Sequence, residues 1–267
     1  MWRAPEPTPM KIRGQRECAD CGARWSYYDT GSVECPDCGS LRSVGVDDER
    51  RLHTDGPAAF DLSEARELVD AKPLREVADR AGELARAYVR QRGFVRGGDL
   101  LALDDTYLAA QELRHAADVI RRGLDVGDDE EWYFLELLRS ADAEDGRNRP
   151  ASDEVPASMH PIRGLAAADA AGEYRTEMSD WLDAAASDER PEATDDAVAE
   201  TGVDPQAARD ALETLETHVK RLRALEGDVE PSTADLLVAA ARDVGRYLQH
   251  GEADALASAR DRLDRLA

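Results

Sequence analysis

The fold is decided by Cys18-Ala-Asp-Cys21-Gly22 and by Cys35-Pro-Asp-Cys38-Gly39. Each stretch holds two cysteines separated by two residues and followed by glycine, and together they contain all 4 cysteines of the chain. Two intervening residues let both sulfurs of a pair converge on one ion, and zinc prefers four such ligands at tetrahedral corners. Glycine tolerates the positive φ that a backbone curling around a metal requires. The spacing therefore predicts that all four cysteines bind one metal ion, with zinc the favoured metal.

The residues between the two cysteine pairs favour short β-strands. We expect a strand at Arg24–Tyr28 and a returning strand at Ser32–Glu34, joined by a turn at Asp29–Gly31. A third strand could carry the apolar residues Leu41, Val44 and Val46. Residues 10–46 are thus predicted to form a zinc ribbon. Because so small a sheet has almost no core, metal binding would supply most of its folding free energy, on the order of 10 kcal/mol.

Three other uses of the cysteines compete with a zinc site. Disulfides would suit an oxidising compartment, but the chain shows no secretory signal. A redox pair is usually found near a βαβ pattern, which is not visible here. Iron is the closest alternative, because the two knuckles and the nearby tyrosines resemble those of the rubredoxin family. The interval between the pairs is much shorter than in that family, so iron remains the less favoured metal.

The composition is typical of a cytoplasmic protein from a salt-loving archaeon. The 267 residues carry a net charge of −23, and aromatic residues make up 5% of the chain. The 34 basic residues include only three lysines, at positions 11, 72 and 220. An acidic, hydrated surface stays soluble where salt screens charge strongly, so most of the acidity is interpreted as adaptation to solvent. The apolar runs are too short to cross a membrane, the longest being about Leu236 to Ala241.

The charge is unevenly distributed between the ribbon and the rest of the chain. The acidic and basic side chains of residues 1–46 balance, so residues 47–267 carry the whole net charge. A neutral ribbon on an otherwise acidic protein is the better surface for contacting a partner. The predicted contact residues are Arg24, Trp25, Tyr27, Tyr28 and Arg42.

Beyond the ribbon, the pattern of apolar residues is helical. The fold class is therefore mostly α, with an N-terminal zinc ribbon followed by an all-α helical bundle region. The predicted divisions are 1–9 disordered, 10–46 ribbon, 47–60 linker, 61–140 helical domain, 141–162 linker or long loop, and 163–267 helical, with 203–267 a three-helix unit. Met10 resembles a natural start of the chain. His53, in the linker, is expected to be solvated, with contact to a partner or a substrate as the alternative.

Several further motifs have weak functional interpretations. Residues 93–98 resemble a phosphate loop but lack its Lys-Ser/Thr ending, so a helix–helix loop is favoured. Glu112-x-x-His115 matches half of a di-iron motif whose second half is missing. Residues 132–135 form an apolar patch that favours core packing, with a partner-binding face as the alternative. The element at 194–215 has the order of segments found in a helix-turn-helix, but its second helix is poorly suited to contacting phosphates.

The ribbon cysteines resemble those of the general transcription factor B class and of small RNA polymerase subunits. The full layout resembles an uncharacterised haloarchaeal family of zinc-ribbon proteins. Nothing after residue 60 resembles a transcription factor's cyclin-like repeats, so promoter function is not implied. Our hypothesis is a non-enzymatic, cytoplasmic adaptor that contacts a protein or nucleoprotein of the transcription or translation machinery. The alternatives are nucleic-acid binding through the ribbon or through residues 194–215, and an enzyme of unknown reaction in the helical part.

Overall fold

A computed structural model describes residues 11–123, 126–143, 148–186 and 202–267. The fold is mostly α-helical with a small N-terminal β region, which confirms the predicted fold class. The predicted disorder at 1–9 and the first part of the helix-turn-helix-like element lie outside the described residues. Within the described ranges, no helix combines the length and apolar character that a membrane span requires.

The N-terminal region contains five short strands and one helical turn. The strands are β1 (Lys11–Ile12), β2 (Gln15–Cys18), β3 (Arg24–Ser26), β4 (Ser43–Gly45) and β5 (Arg51–Leu52), and the helical turn is α1 (Tyr27–Thr30). One antiparallel sheet has the order β3-β2-β4, and β1 pairs separately with β5.

The strand predicted at Arg24–Tyr28 forms only over Arg24–Ser26, and the predicted returning strand is wrong. Tyr27 and Tyr28 belong to α1, and Ser32–Glu34 forms no strand within the described chain. The reason is that β3 pairs with the residues before the first cysteine pair instead of those after the turn. The amide of Cys18 donates to the carbonyl of Ala23 (2.9 Å), so the first knuckle itself serves as the hairpin turn between β2 and β3. The third strand around Val44 forms as predicted.

The described residues after β5 form helices and one hairpin. The helices are α2 (Ser63–Glu67), α3 (Leu74–Gln91), α4 (Asp105–Arg122), α5 (Asp128–Ser140), α6 (His160–Ala186), α7 (Pro205–Ala224), α8 (Pro231–His250) and α9 (Ala253–Arg265). Strands β6 (Val95–Arg96) and β7 (Asp99–Leu100) lie where a helix–helix loop was expected. Gly97 and Gly98 have φ of 59° and 96°, which suits the two-residue turn of a tight hairpin.

Two apolar cores stabilise the helices. One lies among α6, α7, α8 and α9 and includes Tyr174 and side chains from α3, α4 and the hairpin. The other lies among α2, α3, α4 and α5 and includes Tyr133 and Phe134. Core packing is therefore confirmed for these two aromatic residues of the apolar patch, while their neighbour Trp132 is 45% exposed.

A buried ion cluster joins the second core to α6 and α8. The carboxylate of Glu112 is fully buried and accepts hydrogen bonds from Arg163 (2.7 Å), from Arg149 (3.0 Å) and from the hydroxyl of Tyr133. His115 lies apart, with its Nε2 3.0 Å from an oxygen of Asp169. The two residues of the half di-iron motif therefore have separate salt-bridge partners.

The segments predicted as linkers are in contact with the helices. Asp55 is buried, and its carboxylate accepts hydrogen bonds from Arg92 (2.6 Å) and Arg96 (2.9 Å). In the second segment, Val155 and Met159 are buried beside the short 3-10 turns Ser152–Glu154 and Ala157–Met159. The division of the chain into domains stays a prediction.

Replacing Glu112 by alanine should destabilise the helical part by about 3 kcal/mol, because the buried guanidinium of Arg163 would lose its main partner. The measurement is denaturant unfolding at constant salt. The matched control is Glu136→Ala, which removes a carboxylate paired with the exposed Arg139 and should change stability little. An equal loss of unfolding free energy in the two variants would show that burial of the Glu112 ion pair does not determine its contribution to stability.

Candidate metal centre

The four cysteine sulfurs converge on one point. All four Sγ atoms lie within 4.8 Å of one another, and all four cysteines are free thiols. Two Sγ–Sγ distances join the two knuckles, at 3.6 Å for Cys18 with Cys38 and 3.5 Å for Cys21 with Cys35. Tetrahedral coordination with metal–sulfur bonds of about 2.3 Å places sulfurs about 3.8 Å apart. The four cysteines could therefore bind one metal ion with little movement.

The two knuckles repeat one backbone geometry. The amide of Gly22 donates to the carbonyl of Cys18 (3.0 Å), and the amide of Gly39 donates to that of Cys35 (2.9 Å). The two glycines have φ of 77° and 71°, the left-handed conformation that the sequence predicts for them. The main-chain hydrogen bonds thus give both knuckles the same turn, and the sulfurs of the two knuckles converge from these turns.

The sulfurs differ in environment. Cys18 and Cys35 are buried beneath Trp25, whereas Cys21 and Cys38 are exposed. The backbone amides of Cys21 and Asp20 lower the pKa of the Cys18 thiol to about 6. At Cys38 the amide of Ser40 also lowers the pKa, but the three neighbouring thiols outweigh it and raise that pKa to about 12. Four thiolates this close repel one another, so full ionisation requires a bound cation.

The alternation of side chains along the strands separates the predicted contact residues into two groups. Register places Glu17 opposite both Arg24 and Val44, so these three side chains share one face of the sheet. The amide of Ala19 donates to the carbonyl of Arg42 (2.8 Å), which extends the ladder and places Arg42 on the same face. We call this face, with Val46, the outer sheet face.

The aromatic contact residues lie on other surfaces. Trp25 is 7% exposed, and its indole Nε1 donates to the carbonyl of Ser32 (3.0 Å). Tyr27 and Tyr28 are half-buried, and the ring of His53 lies 5.9 Å from the first and 4.8 Å from the second. Trp25 therefore packs inside the ribbon, and the two tyrosines face residues that follow it.

Asp20 connects the two knuckles, a role that sequence reasoning missed. Its carboxylate accepts hydrogen bonds from the hydroxyl of Ser40 and from the guanidinium of Arg42 (2.7 Å). Arg24 is likewise paired, with Glu17 (2.6 Å). The position of Asp20 between two ligands is a signal that could have suggested this bridge.

The second candidate element for nucleic-acid binding is described only from residue 202 onward. Asp204 caps α7 by accepting from the amide of Gln206 (2.9 Å), as the predicted helix start requires. Arg209 is 3.3 Å from Asp183 across an open cleft of about 360 Å³ between α6 and α7. The Arg209 side chain is therefore already paired with an acid.

Comparison with known proteins identifies a matching family and nothing else. The model of a family of unknown function matches residues 10–263 of the chain. No curated protein and no solved structure matches the chain.

Replacing Cys35 by alanine should unfold the ribbon while the helices persist. Three ligands give an incomplete site, and the apolar cluster of the ribbon is separate from the two helical cores. Limited proteolysis should cut within residues 11–46, and circular dichroism at molar salt should keep its helical signal.

The matched control is Val33→Ala, an exposed position in the same loop that supplies no ligand. It should leave the protease pattern unchanged. Loss of the helical signal in Cys35→Ala would show that the helices depend on the metal centre.

Proposed function

The chain belongs to DUF7117, a family of unknown function whose model covers it almost end to end, and we propose that it is a zinc-ribbon interaction protein. The four cysteines hold one zinc ion, and the outer sheet face of the ribbon contacts a protein partner. The convergence of the four sulfurs carries this proposal. Because the protein supplies all four ligands, the coordination sphere is closed, which is typical of structural zinc and not of catalytic zinc.

Zinc is proposed over iron, although tetrahedral sulfur sites suit both metals. The short interval between the knuckles supports zinc. The 13 residues from Gly22 to Glu34 separate Cys21 from Cys35. The composition supports a cytoplasmic protein of a salt-loving archaeon, since the acidic surface of the helices suits strong screening by salt.

The outer sheet face supports a contact with protein. Val44 is 58% exposed and Val46 is 41% exposed. These two valines, with Val33 and Leu41, make up four of the seven large apolar side chains that are exposed in the described ranges. Exposed apolar side chains gathered in one small module mark an interaction site more often than scattered ones do.

The charges on this face favour protein over nucleic acid. Both of its arginines are paired with acids, Arg24 with Glu17 and Arg42 with Asp20. A phosphate backbone would have to displace these carboxylates, and binding to phosphates depends on cations that are free to replace counterions. The partner we propose is a protein surface within the transcription or translation machinery that offers an apolar anchor to Val44.

Protein purified under reducing conditions should contain one zinc ion per chain, because the four sulfurs surround a single point. Elemental analysis alongside native mass spectrometry checks both the metal and its stoichiometry. Iron in place of zinc would refute the metal assignment, and a metal-free chain would refute the site.

Replacing Val44 by aspartate should abolish capture of the partner without unfolding the ribbon, because the side chain is exposed and its loss leaves no cavity. The measurement is quantitative mass spectrometry of proteins captured by the tagged full chain at native salt. The same samples should be assayed for nucleic acid.

The matched control is Leu225→Asp, which adds the same charge at an apolar position that is 47% exposed and lies just after α7. It should retain the partner. Equal capture by both variants would contradict the outer sheet face as the contact, and capture of nucleic acid alone would favour the nucleic-acid alternative.

A further inference from the structure

The ribbon touches the helical part through α1, and α1 lies in the loop that the metal closes. Tyr27–Thr30 comes after Cys21 and before Cys35, so both ends of this loop are tied to the metal centre. A four-residue helix has little stability of its own. The position of α1 therefore depends on the knuckles that hold the two ends of the loop.

Tyr28 fills a slot between the ribbon and the β6–β7 hairpin. A Cβ on Gly14 would lie 2.2 Å from the tyrosine ring, and a Cβ on Gly97 would lie 2.7 Å from it. Its hydroxyl donates to the carbonyl of Ile12 (3.0 Å). Two glycines thus allow one aromatic ring to contact both the N-terminal strands and the hairpin turn.

His53 completes the slot from the other side. Its ring lies 4.8 Å from that of Tyr28, and its Nδ1 accepts a hydrogen bond from the amide of Gly97 (3.3 Å). Burial lowers the pKa of His53, in keeping with a neutral ring that can accept this bond. The amide of Gly98 donates to the carbonyl of Leu52 (2.9 Å). Both glycines of the hairpin turn are therefore hydrogen-bonded to residues 52–53.

The hairpin is also anchored in the helical part by bonds that do not involve the ribbon. The indole of Trp181 donates to the carbonyl of Gly98 (2.7 Å), and the amide of Phe94 donates to the carboxylate of Glu177 (2.6 Å). The helices therefore hold one side of the hairpin, while α1 covers the other side.

We propose that the metal centre controls access to the hairpin turn, so that loss of the metal releases Tyr28 and uncovers Gly97 and His53 while the helices remain folded. This inference rests on the metal site proposed above. The ribbon then acts as a metal-dependent cover: it shields Gly97 and one side of the half-buried His53 ring when the metal is bound, and it exposes both when the metal is lost.

Hydrogen exchange on the full chain tests this coupling. Exchange should be compared before and after a chelator removes the metal under reducing conditions, with the metal content measured in the same samples. The amides of Gly97 and Gly98 should exchange at least about tenfold faster without metal, whereas amides of α8 should not change. Unchanged exchange in the hairpin, or equal acceleration in α8, would overturn the proposal.

Replacing Tyr28 separates the effect of the tyrosine ring from the effect of the metal. Tyr28→Ala, loaded with metal, should show the fast hairpin exchange of the metal-free protein. Asp29→Ala, an exposed change in the same helical turn, should behave as the parent protein. Slow exchange in metal-loaded Tyr28→Ala would overturn the role of the tyrosine. A chain that holds no metal would instead refute the proposed function, so the two failures are distinguishable.

Discussion

The organisation of the N-terminal region depends on four sulfurs that must share one small space. Cys18 ends the central strand β2 and Cys21 lies in the turn that leads to β3, whereas Cys35 and Cys38 precede the edge strand β4. One ion would therefore tie the turn between β2 and β3 to the segment that leads into β4. The loops that it closes are short, so little chain entropy opposes closure. The backbone hydrogen bonds of each knuckle fix its main-chain turn, and a bound cation would both neutralise the four thiolates and join the two knuckles.

The same constraint orders side chains far from the metal. Strand β3 begins at the end of the first knuckle, so its register sends Trp25 inward over the buried sulfurs and Arg24 outward. The chain then turns through α1 and brings Tyr28 to the hairpin. The four cysteines therefore lie where one bound ion would fix the ribbon's interior, its outer sheet face and its contact with the hairpin, although among the described residues the ribbon shares no apolar core with the helices.

The sequence predicts those features of the fold that depend on interactions between residues close together in the chain. Cysteine spacing, the two knuckle glycines and the amphipathic helices each depend on neighbouring residues. The assignment failed for Tyr27 and Tyr28, because their β propensity was outweighed by the pairing of β3 with an upstream strand. The pairing of Glu112 with Arg163, 51 residues further along the chain, and that of Asp55 with Arg92 depend on tertiary packing that periodicity does not encode.

We propose that four sulfurs and no other ligand hold one zinc ion. X-ray absorption at the zinc edge, on the full chain purified in molar salt, measures this coordination. We expect a single shell of four sulfurs at about 2.3 Å. A shell containing nitrogen or oxygen would show that the four cysteines do not complete the site, and the absence of a zinc edge in metal-replete protein would contradict the assignment altogether.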